Sequence, residues 1–473
     1  MNTFKKPRLF RFFFKKKPRP FPKNFLPRLR TKIPGPVSLK LSESLKRFEC
    51  PQVTYIGDPF PVFLKKAFGI NLMDVDGNRF IDLTSAFAVS GIGHGNTAVL
   101  GAMKAQSKWM IHGMGDVHPN EVKIALAKRL SEITPGNLNQ SFFSSTGSEA
   151  VETALKTAVM HTKKTGVIAF TGAYHGLGYG ALNVTHRQDF KKPFEKQLGK
   201  FSCFAPFPDT KLYGNKASEI SLKAVKSLVK KSRHSVGAVL VEPVQGRGGI
   251  GVPPSDFLKG LRALCDQEKI LLVADEVFTG FGRTGFLFAI ERSGIVPDLM
   301  CLGKGMGNGF PISVCIGSTK VMHSWGASAG DAIHTSTFLG NPLGCAVALA
   351  VIREIEEKKL VDRAKNLGDF FRKELYKLKE RHAILADVRG AGLMIGLEFG
   401  QYKKSGKQFK LEPATEQARF FIAEALRAGV LLLPSGPYHN VVSITPPFVI
   451  SEKEISYCVG VFEKVLQKIP SVL

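Results

Sequence analysis

Lys304 stands between Gly303 and Gly305, just beyond the apolar run Leu299–Leu302. Glycine on both sides lets the backbone approach a ligand closely, and a lysine of lowered pKa in such a place can form a Schiff base with a carbonyl. Asp275 closes another apolar run, Ile270–Ala274. A carboxylate at the end of a buried strand lies where open α/β sheets bind ligands, and it needs a cation or a protonated ring nitrogen to offset its burial. A third run, Ser141–Ser145, leads through Thr146-Gly147-Ser148 into a helical pattern with Val151, Leu155, Ala158 and Val159 on one side. Thr146 or Ser148 can cap that helix, and the free N–H groups at Gly147 and Ser148 form an anion site. Each feature alone also reads as ordinary structure: a loop lysine, an aspartate capping a turn, a capped helix.

Taken together, the three describe one cofactor, with an aldehyde for the lysine, a pyridinium for the aspartate and a phosphate for the helix N-terminus. Pyridoxal 5'-phosphate requires those contacts. It also calls for an aromatic over its ring face, which Tyr174-His175-Gly176 can supply after the strand that ends at Phe170.

The elements that position these residues follow from hydrophobic pattern. Continuous apolar runs at Ser141–Ser145, Gly166–Phe170, Val236–Val241 and Ile270–Ala274 suit strands buried on both faces, the habit of parallel sheets flanked by helices. Gly69–Asp82 alternates about an Asp-Gly-Asn turn and predicts a hairpin. Near the C-terminus the pattern predicts a helix over Pro342–Lys359, strands at Ile384–Val388 and Met394–Phe399, a helix over Thr415–Ala428 and a strand at Val441–Ile444. The expected class is α/β: a large α/β/α domain with a mostly parallel sheet over residues 101–341, and a smaller α+β domain over 43–100 and 342–473.

At 473 residues, 44% hydrophobic and 22% charged, the chain is long enough for more than one core and is not compositionally disordered. No apolar run reaches the ~18–20 residues that cross a bilayer. Seven scattered cysteines without a CxxC pair exclude a disulfide framework and a zinc module, so no metal site is expected, and a reducing, cytoplasmic setting is. The net charge is +27, but residues 1–42 hold thirteen Lys and Arg and no acid, which leaves +14 for the rest. No specific nucleic-acid partner is therefore expected. The Phe- and Pro-rich segment 1–42 reads as a disordered basic arm in which only Arg8–Lys17 could coil; organellar targeting and contact with anionic surfaces stay open.

From residue 34 onward the sequence resembles the class III aminotransferases of the fold type I pyridoxal-phosphate superfamily. The resemblance rests on nine ordered motifs: Gly91-Ile-Gly-His94, Ser145-Thr-Gly-Ser-Glu-Ala150, Gly172-Ala-Tyr-His-Gly176, Val241-Glu-Pro-Val-Gln-Gly246, Asp275 through Gly285, Leu302-Gly-Lys-Gly305, Ser336 through Pro342, Val388-Arg-Gly-Ala-Gly392 and Thr445-Pro-Pro447. It implies that Lys304 binds the cofactor aldehyde and then shuttles a proton, and that Asp275 pairs with the ring nitrogen. Gly147 and Ser148 would hold the phosphate, Tyr174 would stack on one ring face with His175 beside it, and Val277 would pack on the other. Glu242 would support the cofactor. Thr337 would reach the phosphate site of a second copy, so a homodimer is implied. The implied reaction moves an amino group from an amino acid or amine donor to a keto acid or aldehyde by a ping-pong route; racemases, aminomutases and phospho-lyases use the same scaffold and are the alternative.

Relatives acting on glutamate or 4-aminobutyrate carry arginine where this chain has Leu177 and Ser443, glutamate where it has Arg247, and often glutamine where it has Phe278. Loss of two carboxylate-binding arginines removes bidentate contacts that Leu and Ser cannot replace. Arg247 could supply a substitute carboxylate contact or be an exposed loop residue.

Overall fold

The computed structural model of the protein describes residues 24–232, 234–405 and 408–469. Its centre is a seven-stranded sheet whose order is Leu138–Ser144, Ser313–Ser318, Leu299–Leu302, Leu271–Asp275, Val236–Val241, Gly166–Phe170, Ser202–Ala205. Neighbours from Leu299–Leu302 to Ser202–Ala205 run parallel; Ser313–Ser318 runs antiparallel to both its partners. Every residue of Gly166–Phe170, Val236–Val241, Leu271–Asp275 and Leu299–Leu302 is buried, whereas Leu138–Ser144, expected to be a parallel strand buried on both faces, is an antiparallel edge strand with exposed Asn139 and Gln140. That contrast is the reason continuous apolar runs mark central parallel strands.

Helices cover both faces. On one, Ala150, Val151, Ala154, Leu155 and Ala158 of helix Gly147–Thr162 pack against Val167, Ala238, Leu240, Val273 and Leu299. The small alanines let the helix sit close to the sheet. On the other, Phe257, Leu261 and Cys265 of helix Phe257–Glu268 join Ile168, Phe170, Val239 and Leu272.

Two smaller sheets flank this layer. Leu64–Phe68, Asn71–Asp74 and Arg79–Asp82 form an antiparallel meander, completed by Val430–Leu431 in parallel from far along the chain. Leu385–Ala391, Met394–Ser405, Val441–Ile444 and Leu433–Ser435 make the other, with Gln408–Pro413 paired to Met394–Ser405. The helix Leu360–Arg381 and the strand Gln408–Pro413 were not expected from pattern: the helix carries eleven charged side chains, which blur its apolar stripe of Leu360, Ala364, Leu367, Phe371, Leu375 and Leu378. None of the described helices is long and apolar enough to cross a membrane.

The described part of the basic segment differs from the expected disordered arm. Asn24 Nδ2 donates to Val449 O at 2.9 Å, and Arg28 pairs with Arg79 through both backbone groups. Buried Asn71 and Asn78 accept from Phe25 N and Arg30 N at 2.9 and 2.6 Å. Helix Pro36–Phe48 starts with the Val37 and Ser38 amides on the Asp76 carboxylate. Two fully buried asparagine amides need partners, and this backbone provides them. The Arg8–Lys17 stretch lies outside the described residues.

Candidate active site

The expected residues gather at the carboxyl ends of the parallel strands. Asp275 ends its strand almost fully buried, with Oδ1 accepting from Val277 N–H at 3.0 Å and Oδ2 2.6 Å from His175 Nδ1. The neighbouring strand Val236–Val241 delivers Glu242, whose Oε1 accepts from Tyr174 N–H at 3.1 Å and Oε2 from Gly246 N–H at 2.7 Å. Two carboxylates and an imidazole thus share one buried space. Burial raises the Glu242 pKa, which the His175 ring opposes and the Asp275 charge augments. Among the described residues His175 Nε2 is buried with no partner, an unmet hydrogen-bonding position.

Lys304 begins a tight turn with a left-handed φ of 39°. A lysine seldom adopts that backbone, and strain of this kind clusters at functional sites. Its Nζ lies 4.2 Å from the centroid of the Phe278 ring. Burial pulls its pKa down to about 8, against the charges of Asp275 and Glu242, while the Arg247 cation pushes in the same direction as burial. The amine is therefore a free base at mildly alkaline pH, as a nucleophile must be.

The helix Gly147–Thr162 is capped by Thr146 and not by Ser148. Thr146 Oγ1 accepts from Glu149 N–H at 3.3 Å, and the Glu149 carboxylate accepts from Ser145 and Thr146 N–H at 2.8 and 2.9 Å. Among the described residues, no protein acceptor meets the Gly147 and Ser148 amides. Ser148 Oγ instead accepts from Gly178 N–H at 3.1 Å, tying the helix to the Tyr174–Gly176 loop. The approach is close: a Cβ on Gly176 (φ 127°) would lie 2.6 Å from Ser148 Oγ, and one on Gly147 would lie 2.7 Å from Val277 Cγ1. Only glycine fits there, and the result is a cradle of free N–H groups above Val277.

Other expected residues sit farther out. Arg247 is partly buried, its guanidinium 4.9 Å from the Tyr174 centroid and 5.6 Å from that of Phe190, which excludes an exposed loop position. Leu177 is 49% exposed. Ser443 lies in Val441–Ile444 opposite Gly396 and Leu433. Thr337 is exposed, next to an exposed Phe338. Sequence reasoning missed Arg187, Asp189, Phe190 and His439, which surround Arg247. The close pair Arg187 and Asp189 was the only signal, and in a single sequence nothing separates it from a surface ion pair. It also missed the His175–Asp275 contact, because the two lie 100 positions apart in the chain.

Comparison with known proteins gives a consistent picture. The aminotransferase class-III family matches residues 54–466. The chain is 35% identical over 452 residues to a 4-aminobutyrate aminotransferase of Mycobacterium leprae, covering 93% of this chain and 97% of that protein. It is 38% identical over 346 residues to an acetylornithine aminotransferase of Methanopyrus kandleri, covering 73% and 83%. Among solved structures it resembles a transaminase of the marine bacterium Virgibacillus, with TM-score 0.83, 30% identity and 91% and 98% of the two chains covered. An amine transaminase from an uncultivated Pseudomonas species, in a PLP-bound form, superposes with TM-score 0.81 and 29% identity over 89% and 98%.

Proposed function

This chain belongs to the class III aminotransferases, and from that premise we propose which of its residues carry the reaction. It is a PLP-dependent transaminase of the fold type I architecture, moving an amino group from a donor to a keto acceptor in two alternating halves. The residues present fit PLP. The glycine cradle at Gly147 and Gly176 is closed to any side chain, the Gly147 and Ser148 amides lack acceptors, and His175 Nε2 is buried without a partner.

When bound, PLP supplies an aldehyde that condenses with amines and a pyridinium ring that withdraws electrons. Gly147 and Ser148 would hold its phosphate and Asp275 its ring nitrogen, with Tyr174 and Val277 against the two ring faces. Lys304 Nζ, unprotonated at pH values above its lowered pKa, would hold the aldehyde end of the cofactor and would accept the proton from the donor's α-carbon. His175 Nδ1 shares Asp275 Oδ2 and keeps that carboxylate oriented. Glu242 fixes the Tyr174 backbone and places a second carboxylate beside His175. The observation that carries this reading is the convergence of Lys304, Asp275 and Glu242, separated by 62 residues or less from one sheet edge, onto one charge-coupled cluster.

We also propose a homodimer. Thr337 is exposed beside Phe338, and the nearby segment exposes Trp109, Met110, Ile111 and Met114, an apolar surface of the kind a second copy covers. Seven free thiols support a reducing, cytoplasmic setting.

The test is an absorbance spectrum of the PLP-loaded protein and of Lys304→Ala before and after addition of single amines. A visible band that one donor bleaches and a keto acid restores, absent from the lysine variant in its wild-type form, is the expected result. A Lys304→Ala protein that cycles between donor and acceptor like wild type sinks the assignment.

A further inference from the structure

On the rim of the site two arginines lie against one phenylalanine, and only one of them is neutralised. Arg187, almost fully buried, sends Nε and Nη2 to the Asp189 carboxylate at 3.1 and 2.5 Å. Its Nη2 also lies 3.1 Å from His439 Nε2, and its guanidinium stands 5.1 Å from the Phe190 centroid. Arg187 therefore has no fork left to offer. Arg247 approaches the same ring and the Tyr174 ring, and among the described residues its guanidinium has no ion pair or hydrogen bond. Cation–π contact is its only support, at about 0.5–2 kcal/mol per contact. A partly buried guanidinium held so weakly, with five unused donors, prefers a carboxylate, which it can take bidentately.

The loop beneath it is fixed. Gly436 N–H donates to Arg247 O at 3.0 Å, Ser435 Oγ to Gly246 O at 3.1 Å, and Arg389 Nε to Gly249 O at 2.9 Å. Arg389 in turn is locked by Glu398. The backbone thus cannot swing away, while the side chain is free to exchange aromatic faces for an anion. Its charge reaches the reacting centre, since it acts on the Lys304 amine. No other free cation stands at the positions where relatives hold one, because Leu177 is apolar and Ser443 neutral.

We infer that Arg247 is the specificity-determining residue of this transaminase, receiving the carboxylate of a keto acid or amino acid substrate, and that Arg187 with Asp189 is a positioning pair that sets Phe190 against it. The inference rests on the transaminase reading and adds the substrate class. An amine or aldehyde without a carboxylate leaves Arg247 on its two rings and reacts without using it.

The experiment compares a keto acid with an aldehyde of matched length as acceptors, for wild type, Arg247→Ala, Arg247→Lys and Phe190→Leu. A lost bidentate charge-assisted contact corresponds to about a 10–100-fold rise in KM for the keto acid. Aldehyde KM should change less than about threefold. Arg247→Lys should recover part of the keto-acid affinity, because charge returns without the fork. Phe190→Leu should raise keto-acid KM by about 3–10-fold with kcat unchanged, a split that general loosening of the fold would not produce. Equal KM increases for both acceptors in Arg247→Ala overturn the anchor while leaving transamination standing. Wild-type protein that transfers no amino group to either acceptor overturns the underlying reading instead.

Discussion

The floor and the rim of the active site are built on opposite terms. On the floor, Asp275, His175 and Glu242 are buried and bonded to one another or to backbone amides, and each is held at a strand end or by a glycine-bounded loop. On the rim, Arg247 rests on aromatic faces, Leu177 is exposed, and the polar partners come from segments as distant as Arg187 and His439, 252 residues apart. The floor is preorganised, so charge that develops during the reaction meets fixed partners at little reorganisation cost. The rim is under-committed, since Arg247 has no ion pair among the described residues.

If this contrast is right, floor substitutions should strike turnover and rim substitutions should strike selectivity. The largest effect belongs to Lys304→Ala, whose transamination kcat should fall by on the order of 10⁴-fold, read by keto-acid formation, since nucleophile and proton carrier go together. Asp275→Asn keeps the shape but removes the charge beside His175, and steady-state kinetics should show kcat lower by about 10²–10³-fold with KM little changed. A large KM effect and a small kcat effect there would erase the distinction between floor and rim.

Between them lies Arg283, fully buried, which donates from Nη1 to Leu393 O and Pro446 O at 3.0 and 2.6 Å and lies 4.6 Å from the Phe448 centroid. It joins the central layer to the C-terminal sheet. Arg283→Met would leave two buried carbonyls unpaired, and urea unfolding should show a loss of about 2–4 kcal/mol.

The coupling of rim to floor can be read by pH. Burial lowers the Lys304 pKa to about 8, so the unprotonated, reactive amine accumulates as pH rises through that value. An unperturbed lysine would require pH near ~10.4. The rate at which the cofactor-free protein captures an aldehyde should therefore rise with a midpoint near pH 8 and level off above it. Because the Arg247 charge helps lower that pKa, Arg247→Ala should move the midpoint upward. An unmoved midpoint would mean that rim and floor are electrostatically separate. The smallest effect is expected for Leu177→Ala: with the side chain half-exposed, kcat should stay within about twofold.

Much of the floor was legible in the sequence because its signals are local. An apolar run ending in Asp275, a lysine between glycines and a Gly-Ser helix start each state their chemistry within ten residues. The central strands were legible for the same reason, since burial on both faces writes itself as an unbroken apolar run. The rim was not legible. Arg247 could be named from its own motif, yet only Phe190 and Tyr174 closing around it exclude the exposed loop position. The basic segment was misjudged over residues 24–42, because its partners Asn71, Asp76 and Asn78 lie on a hairpin that composition does not connect to it.

By itself, then, the sequence determined the α/β class and the cofactor, and it named the residues proposed for the cofactor's three reactive ends, since these depend on short-range pattern and on residue chemistry. The tertiary structure decided that His175 shares Asp275, that Thr146 caps helix Gly147–Thr162, and that Arg187 is spent on Asp189 while Arg247 has no ion pair among the described residues. Those outcomes turn on which charges finish within hydrogen-bonding distance of each other. Distance between residues far apart in the chain is set by packing of the whole core, and no local spacing encodes it.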